Sequence, residues 1–261
     1  MKILVLGHEG MLGGAVARQF RDSGFDVLTT PQRYSLKSEK EYMDSLTSLG
    51  PDCCVNCIGA TPRNGVSEER LTEVNGALPA ALSFGLPNNC SLIHASTDGV
   101  FRPDKPVRVF DEQPDATDAY GRSKTQAESA LTRPNDHIIR CSVVGPESRA
   151  PARNLLSWFL SSTESIGGYT NHAWNGITTL QWARFAVDIA RDGSLVPGRI
   201  LQPATEPISK HDLLRMFNDI WEHRREVNAV EAPDTIVRTL QPNAHTPSLR
   251  DQLIELKSWS V

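Results

Sequence analysis

No apolar run in this chain of 261 residues approaches the ~20 needed to cross a bilayer. The opening segment from Met1 to Leu6 meets Gly7 too soon to form a secretory core of ~7–15 residues. A surplus of cations is also missing. The 27 Lys and Arg stand against 31 Asp and Glu, a net charge of −4, which excludes a protein built to coat nucleic acid by displacing counterions. Cysteines number five. Cys53, Cys54 and Cys57 crowd together, but the CxxC of Cys54 and Cys57 finds no second half, since Cys90 and Cys141 stand apart and no histidine pair lies at ligand spacing. No metal is expected, and the thiols read as small buried groups in a reduced environment. What is present is 39% hydrophobic content with 22% charge, the composition of a folded globule. These features predict a soluble cytoplasmic protein without membrane or nucleic-acid partners.

The chain alternates apolar runs with helical spacing. Strands are predicted at 2–6, 26–28, 52–58, 91–95 and 137–144. Between them, helices are predicted after Gly10, at 39–49, at 68–84 despite Pro79, and at 119–131. That rhythm implies βαβ units with right-handed crossovers, so the expected class is α/β, a Rossmann-type doubly wound parallel sheet. After Gly145-Pro146 the rhythm breaks. Helices are expected at 154–160, 178–190, 210–222 (with Ser209 as N-cap) and 249–256, with extended segments at 199–202 and 236–240. The division this suggests is a dinucleotide-binding domain over 1–147, rejoined by 178–192, and a smaller substrate-binding part over 148–261.

Gly7, Gly10 and Gly13 follow the first strand and open a helix. In that setting the first glycine permits a tight turn, the second lets a phosphate approach the backbone, and the third lets helix and strand pack closely. With Met11 and Leu12 they form a candidate pyrophosphate cradle at the helix N-terminus. The spacing is GxxGxxG rather than the commoner GxGxxG. No carboxylate ends the second strand, where a ribose-binding acid normally stands. Arg33 lies just beyond and suits a 2′-phosphate by a charge-assisted contact, although a plain surface charge would look the same. The expected cofactor is NADP, with NAD open. Asn56, Ile58, Gly59 and Ala60 follow the third strand at the same sheet edge and are further cofactor candidates.

Tyr120 and Lys124 lie four apart, on one helical face. A tyrosine is a weak acid-base group near neutrality, and a neighbouring ammonium lowers its pKa toward working range. Such a pair is common by chance. It gains weight from the glycine turn upstream and from Ser96-Thr97-Asp98 at the carboxyl edge of the fourth strand. In order and spacing these elements resemble the extended branch of the short-chain dehydrogenase/reductase superfamily. Ser96-Thr97-Asp98-Gly99-Val100-Phe101 resembles the STDxVF motif of the dTDP-4-dehydrorhamnose reductases and related nucleotide-sugar reductases. Val55 to Ala60, Val74-Asn75 and Ile139-Arg140-Cys141-Ser142 resemble further motifs of that family. The resemblance covers residues 1–145 well and the rest weakly.

The resemblance implies a Thr97, Tyr120, Lys124 triad. Tyr120 would give a proton to the substrate oxygen as hydride arrives, Lys124 would hold the nicotinamide ribose, and Thr97 would polarise the carbonyl. Ser96 and Asp98 would border the substrate. Gly99 departs from the family's tyrosine and also lacks the acidic group of the related dehydratases, which argues against elimination chemistry. The stretch 168–179, with Asn171, His172 and Trp174, is dense in amides and aromatics. It suits either a sugar or base contact or an ordered loop with a core tryptophan. Arg153 is a weaker candidate for a diphosphate contact. The implied activity is reduction of a nucleotide-linked 4-keto sugar for deoxysugar or polysaccharide synthesis. An epimerase on a similar substrate and a non-catalytic regulatory subunit, such as that of methionine adenosyltransferase, remain alternatives. Whether two copies associate as a homodimer is left open by the sequence.

Overall fold

A computed structural model describes residues 1–62, 65–147, 154–192 and 199–260. The first part alternates as expected: β1 (Lys2–Leu6), α1 (Met11–Asp22), β2 (Asp26–Thr29), α2 (Glu39–Ser48), β3 (Cys53–Asn56), α3 (Glu68–Leu71), α4 (Leu78–Gly85), β4 (Ser91–Ser96), α5 (Ala119–Ala130) and β5 (Asp136–Arg140). The rest comprises β6 (Val143–Val144), α6 (Leu155–Ser161), β7 (Ile166–Tyr169), β8 (His172–Trp174), β9 (Ile177–Thr178), α7 (Thr179–Arg191), β10 (Ile200–Leu201), β11 (Ile208–Ser209), α8 (Lys210–Trp221), β12 (Val227–Val230), β13 (Ile236–Arg238) and α9 (Leu249–Ser260).

Among the described residues, six parallel strands form the main sheet in the order β10-β5-β4-β3-β1-β2. The order reverses between β1, whose chain continues to β2, and β3 on its other side. That switch point opens a crevice beyond the carboxyl ends of the two strands, where ligands bind in such sheets. The central strands are apolar on both faces because both are covered. On one face Val16 and Phe20 of α1 pack with Trp182, Ala183 and Ala186 of α7. On the other, Tyr42, Leu46, Leu78, Leu82 and Leu131 close over Leu4, Cys54 and Leu92. Trp182 is fully buried, and truncating such a side chain to Ala costs about 3–5 kcal/mol. A third cluster joins Leu156 and Phe159 of α6, Leu213 and Phe217 of α8, and Leu253 of α9. α7 packs against the main sheet and β10 is its edge strand, so this layer draws residues from both sides of position 147.

Two differences from the expected elements have physical causes. The helix expected across 68–84 widens by one residue per turn over Thr72–Ala77, so the chain accommodates Pro79 near the start of α4, where its missing N–H is least needed. The segment 168–179 is not a loop: β8 pairs with β11 and β13, and β7 pairs with β12. Strands this short leave too little alternation to read from sequence. Arg153 lies outside the described residues.

Candidate active site

The turn after β1 is built by close backbone approach. Gly7 has φ +77°, and a Cβ on Gly13 would stand 2.1 Å from the Gly7 carbonyl oxygen. Any side chain at position 13 would therefore lift α1 off the turn. Gly10 precedes α1 without a side-chain cap, and no carboxylate occupies its first turn. Those first amides are left for an anion. Asn75, in the widened turn, holds the facing wall. Its amide donates to the Ala60 carbonyl (2.9 Å) and accepts from the Ala60 N–H (2.8 Å), fixing the strand end across from α1.

One groove crosses this edge. Its outer end, about 270 Å³, is lined by residues 6–9, 30–34 and 58–60 together with Tyr42, Arg70 and Val74. Its inner end, about 920 Å³, is lined by Gly10, Met11 and Leu12, by residues 57–61 and 95–97, by Tyr120, Lys124, His172 and Trp174, and by Lys210 and Arg238. The two ends share Ile58, Gly59 and Ala60. Arg33 thus sits at the outer end and Thr97, Tyr120 and Lys124 at the inner end.

α5 delivers the tyrosine and lysine. Asp118 caps it by accepting the Gly121 N–H (2.9 Å). Gly121 lets the helix lie against the turn after β4, since a Cβ there would stand 2.4 Å from the Gly99 carbonyl oxygen. Tyr120 is placed beside Thr97, and one turn later the Lys124 ammonium donates to the Ala95 carbonyl at 2.8 Å. Burial pushes the Tyr120 phenol up to about 12, opposed by its hydrogen bond with Thr97 and by the Arg238 guanidinium. The sequence led us to expect Lys124 as the cation lowering Tyr120. The Lys124 ammonium gives one of its three protons to Ala95, and the Arg238 guanidinium is a further cation that favours the phenolate. Burial pulls Lys124 down to about 8, against the pull of Glu128 and Cys57.

Three other candidates stay out of the cavity because their side chains are engaged elsewhere. Asn56 contacts His94 (3.2 Å) and accepts the Ile58 N–H (3.1 Å), so it shapes the 57–60 turn rather than lining it. Asp98 accepts from the hydroxyls of Thr97 (3.0 Å) and Ser142 (2.8 Å). Asn171 bridges to Ala232, donating to its carbonyl and accepting its N–H (2.8 and 3.0 Å). Ser96 faces the cavity, but its hydroxyl donates to Glu128 at 2.5 Å. His172 packs at a tilt against Tyr169 (centroids 4.5 Å apart, planes at 46°) and contacts the Asp234 carbonyl. Trp174 is 5% exposed and lies under the Lys210 ammonium, 4.9 Å from its ring centroid. Among the described residues no group of three or more His, Cys, Asp or Glu could hold a metal ion, and no helix is long and apolar enough to cross a membrane.

Comparison with known proteins decides the family. The family described as RmlD substrate binding domain matches residues 1–166. The chain belongs to that family. Among curated proteins, the spore coat polysaccharide biosynthesis protein SpsK of Bacillus subtilis (strain 168) is 30% identical over 152 residues, 55% of this chain and 53% of that protein. The methionine adenosyltransferase 2 subunit beta of Danio rerio is 27% identical over 156 residues, 55% of this chain and 48% of that protein. The chain spans about half the length of the curated relatives it matches. Among solved structures, the dTDP-4-dehydrorhamnose reductase of Bacillus anthracis str. Ames in complex with NADP superposes with a TM-score of 0.86 at 14% identity, covering 99% of each chain. That likeness shows the Rossmann-type α/β fold.

Sequence reasoning missed Asn75, Arg70, Glu128, Lys210 and Arg238. Asn75 stood inside a quoted motif without a role. Lys210 opens α8 and Arg238 ends β13, so no local spacing connects them, and only the fold brings them to one cavity.

Proposed function

We propose that this protein reduces the 4-keto group of a nucleotide-linked sugar with NADPH. The observation that carries the reading is the convergence of Thr97, Tyr120 and Lys124 on one cavity shared with the first turn of α1. The groove fits a dinucleotide. Its glycine turn has no room for a Cβ at position 13 and leaves the α1 amides uncapped. Arg33 and Arg70 at the outer end favour a 2′-phosphate. Arg70 is paired with Glu73 at 2.5 Å, which leaves Arg33 as the better phosphate partner. When bound, the reduced nicotinamide supplies the hydride.

The chain's residues supply the rest. A phenol held up at about 12 is protonated near neutrality, the form needed to give a proton to the nascent alkoxide. Its phenolate, once formed, is stabilised by Arg238. The Thr97 hydroxyl carries one proton, now given to Asp98, and turning it to the substrate carbonyl would polarise that group, while Lys124 would hold the nicotinamide ribose.

The far wall supports a diphosphate. Lys210 and Arg238 are half-buried, and neither makes an ion pair among the described residues. Arg238 has one hydrogen bond, to the Phe101 carbonyl at 3.3 Å. The two cations repel each other, the Asp98 carboxylate offsets this in part, and a dianion would relieve both. His172 and Trp174 border the same cavity and would contact the sugar. Synthesis of a surface polysaccharide fits the description of the Bacillus subtilis relative, and we place the protein in the cytoplasm, where its unpaired thiols stay reduced. A regulatory-subunit reading is raised by the Danio rerio relative.

The test is absorbance of reduced nicotinamide with a panel of 4-keto nucleotide sugars. NADPH consumption with one carbinol formed per cofactor is expected. An isomerised sugar without net consumption would make the protein an epimerase, and cofactor binding without either would favour the regulatory subunit.

A further inference from the structure

Asp98 is 6% exposed, stays out of the cavity and has no part in the proposed chemistry, yet both of its oxygens are engaged beside the reacting groups. Oδ1 accepts from the Thr97 hydroxyl at 3.0 Å and Oδ2 from the Ser142 hydroxyl at 2.8 Å. A charged acceptor makes each bond stronger than one between neutral groups. The two bonds tie the turn after β4 to the segment between β5 and β6. Ser142 is fixed by its own main chain, whose carbonyl accepts the Ile177 N–H at 3.0 Å and would stand 2.3 Å from a Cβ on Gly176. The carboxylate is thus anchored from a second strand end, independently of Thr97.

Thr97 has little freedom left. A hydroxyl has one proton and two lone pairs. The proton goes to Asp98, one lone pair takes the Gly99 N–H at 3.1 Å, and Tyr120 hydrogen bonds at the same oxygen. The oxygen is held on three sides, and turning about the Cβ–Oγ bond redirects the proton without moving it. We infer that Asp98, anchored by Ser142, is a positioning residue that fixes the Thr97 hydroxyl beside Tyr120, in the rotamer from which its proton swings to a substrate carbonyl. The inference rests on the reading of Thr97 as the group that polarises that carbonyl.

The groups that face Asp98 come from four elements or their ends: Tyr120 of α5, Cys141 after β5, Lys210 of α8 and Arg238 of β13. Burial pushes the phenol and the thiol up, so both are neutral. Neither cation forms an ion pair with Asp98 among the described residues, and their charge balances the carboxylate without displacing Thr97. Arg102 and Arg108 border the cleft beside Asp98, but each is paired with Asp104. Asp98→Asn therefore has two separable effects. It weakens the hold on Thr97, and it removes a counter-charge from the two cations that face an anionic substrate.

Steady-state kinetics are read at about pH 6, well below the value of about 8 at which Lys210 loses its charge. In Asp98→Asn kcat should fall about 5–10-fold, the difference between a charged and a neutral hydrogen bond, while KM for the nucleotide sugar stays level or falls. In a Thr97→Val background the same substitution should lower kcat by no more than about twofold, because the group it acts through is gone. An unchanged kcat, an equal loss in both backgrounds, or a KM that rises as kcat falls overturns the inference. The second readout needs no substrate. Three-bond couplings to the Thr97 methyl carbon, in the full chain labelled at threonine methyls and assigned with Thr97→Val, should report one rotamer in the wild type and a mixture in Asp98→Ala. If Asp98→Ala does not fold, Ser142→Ala, which keeps the carboxylate but frees it, carries the same measurement. A single unchanged rotamer in the variant measured overturns the inference. If no nucleotide sugar is turned over, the reductase reading fails while the couplings still decide the role of Asp98.

Discussion

Replacing Lys210 by Met tests whether the far wall of the cavity reads an anionic substrate. Methionine keeps most of the stem over Trp174 and removes only the ammonium. A hydrogen bond from a charged donor to an anion contributes about 1.5–3 kcal/mol, and each tenfold corresponds to about 1.36 kcal/mol. KM for the nucleotide sugar should therefore rise about 10–150-fold, with the lower half favoured because Lys210 is only half-buried. The kcat should change little. Arg238→Met should raise KM and also lower kcat, because Arg238 favours the Tyr120 phenolate. The pH dependence has a definite sign. Burial, opposed by the Asp98 carboxylate and reinforced by Arg238, draws Lys210 down to about 8. The charged form binds the anion, so KM should be flat below that pH and climb above it, and Lys210→Met should abolish the climb. Steady-state kinetics with NADPH, backed by calorimetric binding of the free nucleoside diphosphate, make the measurement. A KM and a diphosphate affinity both within about twofold of wild type in Lys210→Met would refute the reasoning, since that is well under the contribution of one charged hydrogen bond.

At the outer end, Arg33→Ala should raise KM for NADPH about tenfold and leave NADH unchanged, as expected for loss of a charge-assisted contact to a phosphate. Comparing the two cofactors in the same assay checks it, and an equal effect on both would remove the 2′-phosphate assignment. Gly121→Ala places a methyl 2.4 Å from the Gly99 carbonyl oxygen and 2.3 Å from Ala116 Cβ. Such overpacking costs about 1–3 kcal/mol, so a lower Tm should accompany a loss of kcat from the displaced Tyr120. An unchanged melt together with full turnover would contradict the close approach described.

The first half of the fold was legible because its central strands are buried on both faces and its helices carry period-3.6 apolar faces, as in Leu4, Val16 and Phe20. The glycine turn, Tyr120 and Lys124 were legible for a different reason: each lies within a few residues of its partner, and local spacing carries the geometry. Lys210 and Arg238 had no such neighbour. Their elements, α8 and β13, are brought together by β8, a strand of three residues in a segment whose amides and aromatics read equally well as a loop. Asn171 shows the reverse error. An amide in an aromatic-rich stretch looked ready for a ligand, yet it ties β8 to the chain at Ala232, satisfying backbone groups that would otherwise be orphaned. Tyr120 carries the subtler lesson. Spacing put an ammonium one turn away, where it also donates to the Ala95 carbonyl, and a second cation that favours the phenolate, Arg238, came from the far end of the chain.

The most direct measurement is single-turnover transfer of deuterium from C4-deuterated NADPH to a 4-keto nucleotide sugar, with the wild type and Tyr120→Phe side by side. The wild type should place one deuterium on the new carbinol carbon for each cofactor oxidised. Tyr120→Phe should bind NADPH with near-normal affinity and transfer hydride about 10²–10⁴-fold more slowly, the usual contribution of a positioned proton donor. Transfer at an undiminished rate in Tyr120→Phe, or no deuterium in the sugar of the wild type, would contradict the account.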